Sequence, residues 1–157
     1  MEFLGQLHPL VIHFPIVLFL LYTLLEIIGI TFNKEEIQRG AYVILILGVI
    51  GALAAVLTGH QAEELAEKTI SSAFRFPEEV LEEHEWFANL TVWYFFFVLL
   101  LRTYLVVKKK FVGRIRYIFI IFALAGTFLV WSTGREGGEL VFEHGVGTEL
   151  IKLPENK

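Results

Sequence analysis

The chain has 157 residues, which suits one domain, and it contains no cysteine, so disulfides, thiolate metal sites and covalent haem attachment through cysteine are excluded. Its single methionine argues against a thioether copper site, and its net charge of −4 argues against nucleic acid as a partner. A content of 55% apolar and only 19% charged residues is typical of a membrane protein.

Four apolar runs predict transmembrane helices at about 10–30, 41–59, 86–107 and 115–133, followed by a tail over 134–157. Each run approaches the roughly 20 residues that cross a bilayer as a helix. Backbone polar groups cannot remain unpaired in lipid, so each run must be helical. We therefore predict an all-α fold, an integral membrane four-helix bundle running up-down-up-down, with 1–157 as a single transmembrane domain. The first run lacks the basic flank and cleavage site of a signal peptide.

The basic residues predict the orientation, because cytoplasmic loops of membrane proteins are enriched in Lys and Arg. Eight of the 13 basic residues lie near the loops that join helices one and two or helices three and four. They are Lys34, Arg39, Arg102, Lys108, Lys109, Lys110, Arg114 and Arg116. These loops should be cytoplasmic, so both termini should lie on the non-cytoplasmic side of the inner (plasma) membrane.

Local patterns predict how the helices end. The stretch 61–68 favours a continuation of helix two, and Pro77 followed by Glu78 and Glu79 favours a helix start. The small residues Gly51, Ala55 and Gly59 predict a close helix contact. The Gly-rich tail from Gly134 predicts a short strand or turn on the outer face.

All five histidines are expected near the outer face, and imidazole is the commonest ligand of haem iron and of transition metals. Helices one and three are diagonal in such a bundle, so His13 and His84 are the first choice as axial ligands of haem b, with His8 or His144 as alternatives. His60 and His144 form the other diagonal. Arg75 and Arg135 could pair with the haem propionates. Aromatic walls could come from Phe14, Trp86, Phe87, Trp93 and Trp131.

Other interpretations remain open beside haem. A non-haem site for Zn, Cu or Fe could use His8, His13, His84 and His144 with nearby acids. A cofactor-free assembly subunit or small channel would need neither haem nor a metal. Glu26 lies near the cytoplasmic end of helix one. Its position favours a carboxylate that reaches the interface, and a proton path is the alternative.

The ends of the chain resemble a family of bacterial membrane domains that is catalogued as a four-helix domain of unknown function. The resemblance rests on His8-Pro9-Leu10-Val11-Ile12-His13-Phe14-Pro15-Ile16 and on the segment from Gly137 to Gly147, and it covers nearly the whole chain. Thr58-Gly59 and His84 also match, whereas His60 stands where the family tends to have an apolar or aromatic residue. The resemblance implies the topology, and it favours His8, His13, His84 and His144 as the ligand set.

Together these observations favour a b-type cytochrome-like protein rather than a stand-alone enzyme. Some members of the family resembled are joined to c-type cytochrome modules, which implies a redox setting. The expected partners are the lipid bilayer, quinone, and a periplasmic or membrane redox protein. A single bundle or a homo-oligomer could enclose the cofactor.

Overall fold

The computed structural model describes residues 2–69 and 77–148, and this part of the chain contains five helices. They are α1 (Glu2–Val11), α2 (His13–Thr31), α3 (Glu35–Thr69), α4 (Glu78–Val107) and α5 (Ile115–Phe142). Helices α1 and α2 together make the first membrane-spanning segment, and α3, α4 and α5 make the other three. The predicted four-helix membrane fold is confirmed.

The first segment is interrupted at Ile12, and Pro15 supplies the physical reason. Proline has no backbone N–H to donate to the carbonyl of Val11, and its ring crowds that carbonyl, so the helix cannot run straight through. The helix already begins at Glu2, with Pro9 inside α1. The first helix therefore begins earlier than the span predicted from about residue 10, and His8 lies within a helix rather than before one.

The membrane-spanning segments form a ring in chain order, since each packs on the next and α5 returns onto α2. The first and third segments are therefore diagonal, as predicted. We call the end where α1 and α4 begin and α3 and α5 end the histidine end. The opposite end, where α2 meets α3 and α4 meets α5 through short loops, is the basic end.

The outside of the bundle is apolar, as lipid contact requires. Four helical segments are long and apolar enough to cross a membrane, and only 28% of the most apolar window of each is buried inside the protein. Phe97, Phe128, Leu57 and many other large apolar side chains point outward along the whole length. The same surface carries Phe14, Trp86, Trp93 and Trp131, each at least 60% exposed, so these four residues do not form the predicted walls of a cofactor site.

Aromatic rings fill the centre of the bundle. Phe19 and Phe95 stack across the diagonal with their ring centroids 3.7 Å apart, and Tyr22 meets the edge of Phe95. Small residues allow this packing, since Gly48 faces the ring of Phe19 and Gly126 faces the ring of Phe95. The middle of the bundle is therefore closed by side chains.

A buried ion pair closes the bundle axis nearer the basic end. Arg102 donates to the carboxylate of Glu26, and both side chains are at most 1% exposed. The guanidinium also donates to the carbonyl of Gln38 at 2.8 Å and lies 4.5 Å from the ring centre of Phe111. The expectation that Glu26 reaches the interface was wrong, because Arg102, counted from sequence as a loop residue, meets it inside the bundle.

The last helix runs further than predicted. The segment from Gly134 to Phe142 continues α5, so the expectation of a strand or turn from Gly134 was wrong; residues 149–157 lie outside the described range. In contrast, the helical continuation over 61–68 and the helix start after Pro77 are confirmed by α3 and α4.

Candidate functional site at the histidine end

His8 projects from α1 against α3, where a glycine makes room for its ring. The ring lies beside Gly59, and a Cβ at that position would stand 3.2 Å from Cε1 of His8. Its Nδ1 lies 3.1 Å from the hydroxyl oxygen of Thr58. The Thr-Gly step therefore both orients and accommodates the imidazole.

His84 occupies the corresponding place between α4 and α5. Its Nδ1 lies 3.1 Å from the backbone carbonyl oxygen of Thr133, and its ring lies beside Gly137, where a Cβ would stand 3.0 Å from Cε1. The buried carboxylate of Glu136 interacts electrostatically with this ring. The Thr133 hydroxyl bonds Thr91 of α4 at 3.0 Å, which ties the two helices together.

The hydrogen bonds determine which ring nitrogens are free. A carbonyl oxygen only accepts, so His84 must carry its proton on Nδ1. The Thr58 hydroxyl has one proton, which points to the carbonyls of Ala54 and Ala55 at 3.1 and 3.0 Å, so it accepts from His8. In its neutral form, each imidazole then carries its proton on Nδ1 and its unshared electron pair on Nε2, the arrangement of a histidine that ligates a metal or haem iron.

His8 is better placed than His13 to pair with His84 across the diagonal. The rings of His8 and His84 are both half-buried, and each is held by a hydrogen bond to the neighbouring helix. His13 is exposed on the outer surface next to Phe14. Five residues of α-helix rotate a side chain by about 140°, so His8 and His13 face different directions. The pairing of His13 with His84 stays a prediction, and the exposed position of His13 makes His8 the better-placed candidate.

An internal repeat explains the pairing of His8 with His84. Glu26 and Arg102 are separated by 76 residues, and the same spacing separates Phe19 from Phe95 and His8 from His84. The first two pairs are in contact across the bundle axis, and His8 and His84 lie at the histidine end of the same two segments. Each histidine also hydrogen-bonds the threonine of a Thr-Gly step about 50 residues later, Thr58 for His8 and Thr133 for His84. The glycine beside the ring differs, being Gly59 for His8 and Gly137 for His84.

The two halves of the chain are therefore similar helix pairs, in which residues that face the bundle axis recur at a spacing of 76. This repeat is visible in the sequence, where Glu-Leu also follows each Thr-Gly step at the same distance. It is the pattern that would have identified His8 as the partner of His84.

The remaining predicted site residues do not join this pair. His60 is exposed and faces Glu63 and Glu85, and His144 is half-buried beyond the end of α5. Arg135 is 64% exposed and lies 3.9 Å from Glu136, and Arg75 lies outside the described residues. Among the described residues, no three of His8, His13, His84 and His144 bring ligand atoms within 4.8 Å of one another, so the four-histidine metal set is not assembled.

Comparison with known proteins identifies a family. A family model described as "Predicted membrane protein (DUF2231)" matches residues 5–150. No curated protein and no solved structure matches the chain. The matched range contains all five histidines and both Thr-Gly steps.

Proposed function

The chain belongs to the DUF2231 family of membrane proteins, and we propose that it is a b-type cytochrome-like electron carrier whose haem is held between His8 and His84. The observation that carries this proposal is the pair of matched imidazoles. Each belongs to one half of the repeat, and each has its Nδ1 hydrogen-bonded to a threonine of the neighbouring helix. Bundle cofactor sites are built from side chains on facing helices, as here.

The protein's own residues would perform three tasks at this site. Thr58 and the carbonyl of Thr133 hold the tautomer and the ring direction, which raises the basicity of Nε2 as a ligand. Gly59 and Gly137 allow the two rings to pack closely against α3 and α5. A bound haem would supply a one-electron redox centre. Arg135, and Arg75 beyond the described residues, are proposed as cations for its propionates.

The distribution of charge supports an orientation and a set of partners. Lys108, Lys109, Lys110 and Arg114 cluster at the basic end, whereas the histidine end is acidic. By the positive-inside rule the basic end is cytoplasmic and the histidine end lies outside, in the inner (plasma) membrane. A haem there would exchange electrons with the quinone pool or with a periplasmic or membrane redox protein.

A second candidate is a non-haem metal centre at the same two imidazoles. The observation that favours it is the pair of hydrogen-bonded imidazoles itself, because imidazole is a common ligand of Zn, Cu and Fe. In the described part of the chain, Glu136 and the two imidazoles do not bring ligand atoms within 4.8 Å of one another, so the remaining ligands would come from solvent. This candidate predicts a stoichiometric metal and no porphyrin.

Cofactor analysis of one preparation separates these proposals. The protein is purified in detergent from a haem-replete host, and pyridine haemochrome and elemental metal content are measured together. Haem b with iron at the same stoichiometry supports the cytochrome-like function. Metal without porphyrin supports the second candidate, and a preparation with neither, even after addition of haem, contradicts both.

A further inference from the structure

A separate group of metal-ligating side chains joins α3 to α4 at the histidine end. Nδ1 of His60 lies 3.7 Å from Oε2 of Glu63 and 4.0 Å from Oε1 of Glu85. One ligand atom from each of these three residues lies within 4.8 Å of the other two. Two of its residues, His60 and Glu63, lie near the end of α3, and the third, Glu85, lies near the start of α4.

The charges in this group are not balanced by a fixed cation. The carboxylates of Glu63 and Glu85 both face the imidazole of His60, and two like charges this close favour a shared proton or a cation between them. In the part of the chain that the structure describes, no Lys or Arg forms an ion pair with either, and Lys68 pairs with Glu64 instead.

The internal repeat shows that the two halves of the chain differ in charge in this region. The counterpart of His60 after the second Thr-Gly step is Arg135, which stands beside Glu136 and provides a permanent positive charge. The first half carries a neutral imidazole and two carboxylates in the same region. In this region, therefore, the second half of the chain has a built-in cation, whereas the first half has a set of ligands for a cation.

We propose that His60, Glu63 and Glu85 bind one divalent transition-metal ion, with zinc as the best-suited species. Zinc accepts imidazole nitrogen and carboxylate oxygen at about 2.0–2.2 Å, which sets tetrahedral ligand atoms roughly 3.4 Å apart. The observed 3.7 and 4.0 Å separations need to close by only about half an ångström. Imidazole ligation disfavours calcium and magnesium, which prefer oxygen.

Such an ion would tie the end of α3 to the start of α4 across the connecting segment. Glu85 is the neighbour of His84, so the ion would also hold the first turns of α4 in place beside the imidazole pair. This site does not depend on haem, because it shares no ligand with His8 or His84.

The test is a zinc titration of the detergent-purified protein after removal of metals with a chelator, read by competition with a chromophoric zinc indicator. The expected result is one zinc ion per chain, with affinity reduced at least tenfold in E63Q, in E85Q and in H60N. The matched controls E64Q, E83Q and H13N should bind zinc like the unchanged protein. Zinc should raise the thermal midpoint of the unchanged protein and leave that of E63Q unaltered.

Three results would overturn the proposal. One is equal zinc affinity in the unchanged protein and in E63Q and E85Q. Another is loss of zinc in H84A with retention in E85Q, which would place the ion at the imidazole pair. A third is an equal thermal shift with magnesium or calcium that persists in H60N, which would exclude the imidazole as a ligand. Haem content is measured in parallel, so the zinc site and the haem site can fail independently.

Discussion

At the scale of single residues, the hydrogen-bond partners of an imidazole decide what it can do. His8 has an acceptor at Nδ1 and a glycine beside its ring, whereas His13, five residues later, is exposed. Both were candidates from sequence, because both lie at the start of the first segment. The position of each histidine along the segment could be predicted from sequence. The direction of each side chain could not, because α1 begins well before Pro9.

Removing the acceptor of His8 should weaken cofactor binding without removing the ligand. In T58V the Nδ1–H of His8 loses its partner, and loss of such a supporting hydrogen bond typically costs about 10–100-fold in metal affinity. Haem affinity, measured by titrating the apoprotein, should fall within this range. T103V, which removes a hydroxyl near the basic end that bonds Tyr42, is the matched control and should leave haem affinity unchanged.

The Glu26–Arg102 pair shows a second limit of sequence reasoning. Each residue alone resembles an interfacial charge near the end of a span, and only the repeat or the structure shows that they meet on the axis. Inside the bundle, each charge is tolerated because the other neutralises it. Oε2 of Glu26 and the hydroxyl of Tyr22 are buried without a partner, so this region is sensitive to change.

Breaking this pair should destabilise the bundle strongly. E26L and R102M each leave one buried charge uncompensated, which costs about 3–5 kcal/mol of unfolding free energy. The double variant E26L/R102M leaves no charge and should be more stable than either single variant. Denaturant titration in detergent measures all three, and a double variant that is the least stable would contradict the account.

At the scale of helices, packing overrides local propensity. Gly134, Gly137 and Gly138 disfavour a helix by propensity, yet α5 runs through all three. One reason is visible at Gly137, which gives the ring of His84 its space. The long apolar runs were predictable from sequence because they reflect the bilayer, whereas this glycine-rich extension depends on contacts with another helix.

Two glycines of α5 should respond in opposite directions to the same substitution. A Cβ at Gly126 would collide with the ring of Phe95, which is stacked on Phe19, so G126A should lower stability by about 1–3 kcal/mol. Gly134 has no atom within 4 Å of the added Cβ, so G134A should raise stability by about 0.5–1 kcal/mol through backbone entropy. Thermal melts in detergent compare them, and equal effects would show that the close contact does not limit packing.

At the scale of the whole molecule, duplication organises the bundle. Two similar helix pairs place His8 and His84 at one end, Phe19 against Phe95 in the middle and Glu26 against Arg102 nearer the other end. Two phenylalanines or two histidines can face each other across such an axis. Two like charges would repel, so the charged position carries a glutamate in one half and an arginine in the other. The helix count and their order around the bundle were predictable from sequence, and the imidazole pair could have been predicted from the repeat.

The orientation of the whole bundle can be measured because the chain has no cysteine of its own. E143C places a single thiol at the histidine end, and K109C places one at the basic end. A membrane-impermeant maleimide added to intact cells, or to spheroplasts where an outer membrane is present, should label E143C and should label K109C only after lysis. Labelling of K109C without lysis would reverse the proposed topology.

The central claim is tested most directly by the reduced-minus-oxidised visible spectrum of the purified protein and three histidine variants. The account predicts a sharp α band in the unchanged protein and in H13A, and loss of that band in H8A and in H84A, with all four proteins folded by circular dichroism. A band that is lost in H13A and retained in H8A would show that the exposed histidine is the ligand. A flat spectrum from the haem-supplemented unchanged protein would contradict haem binding altogether.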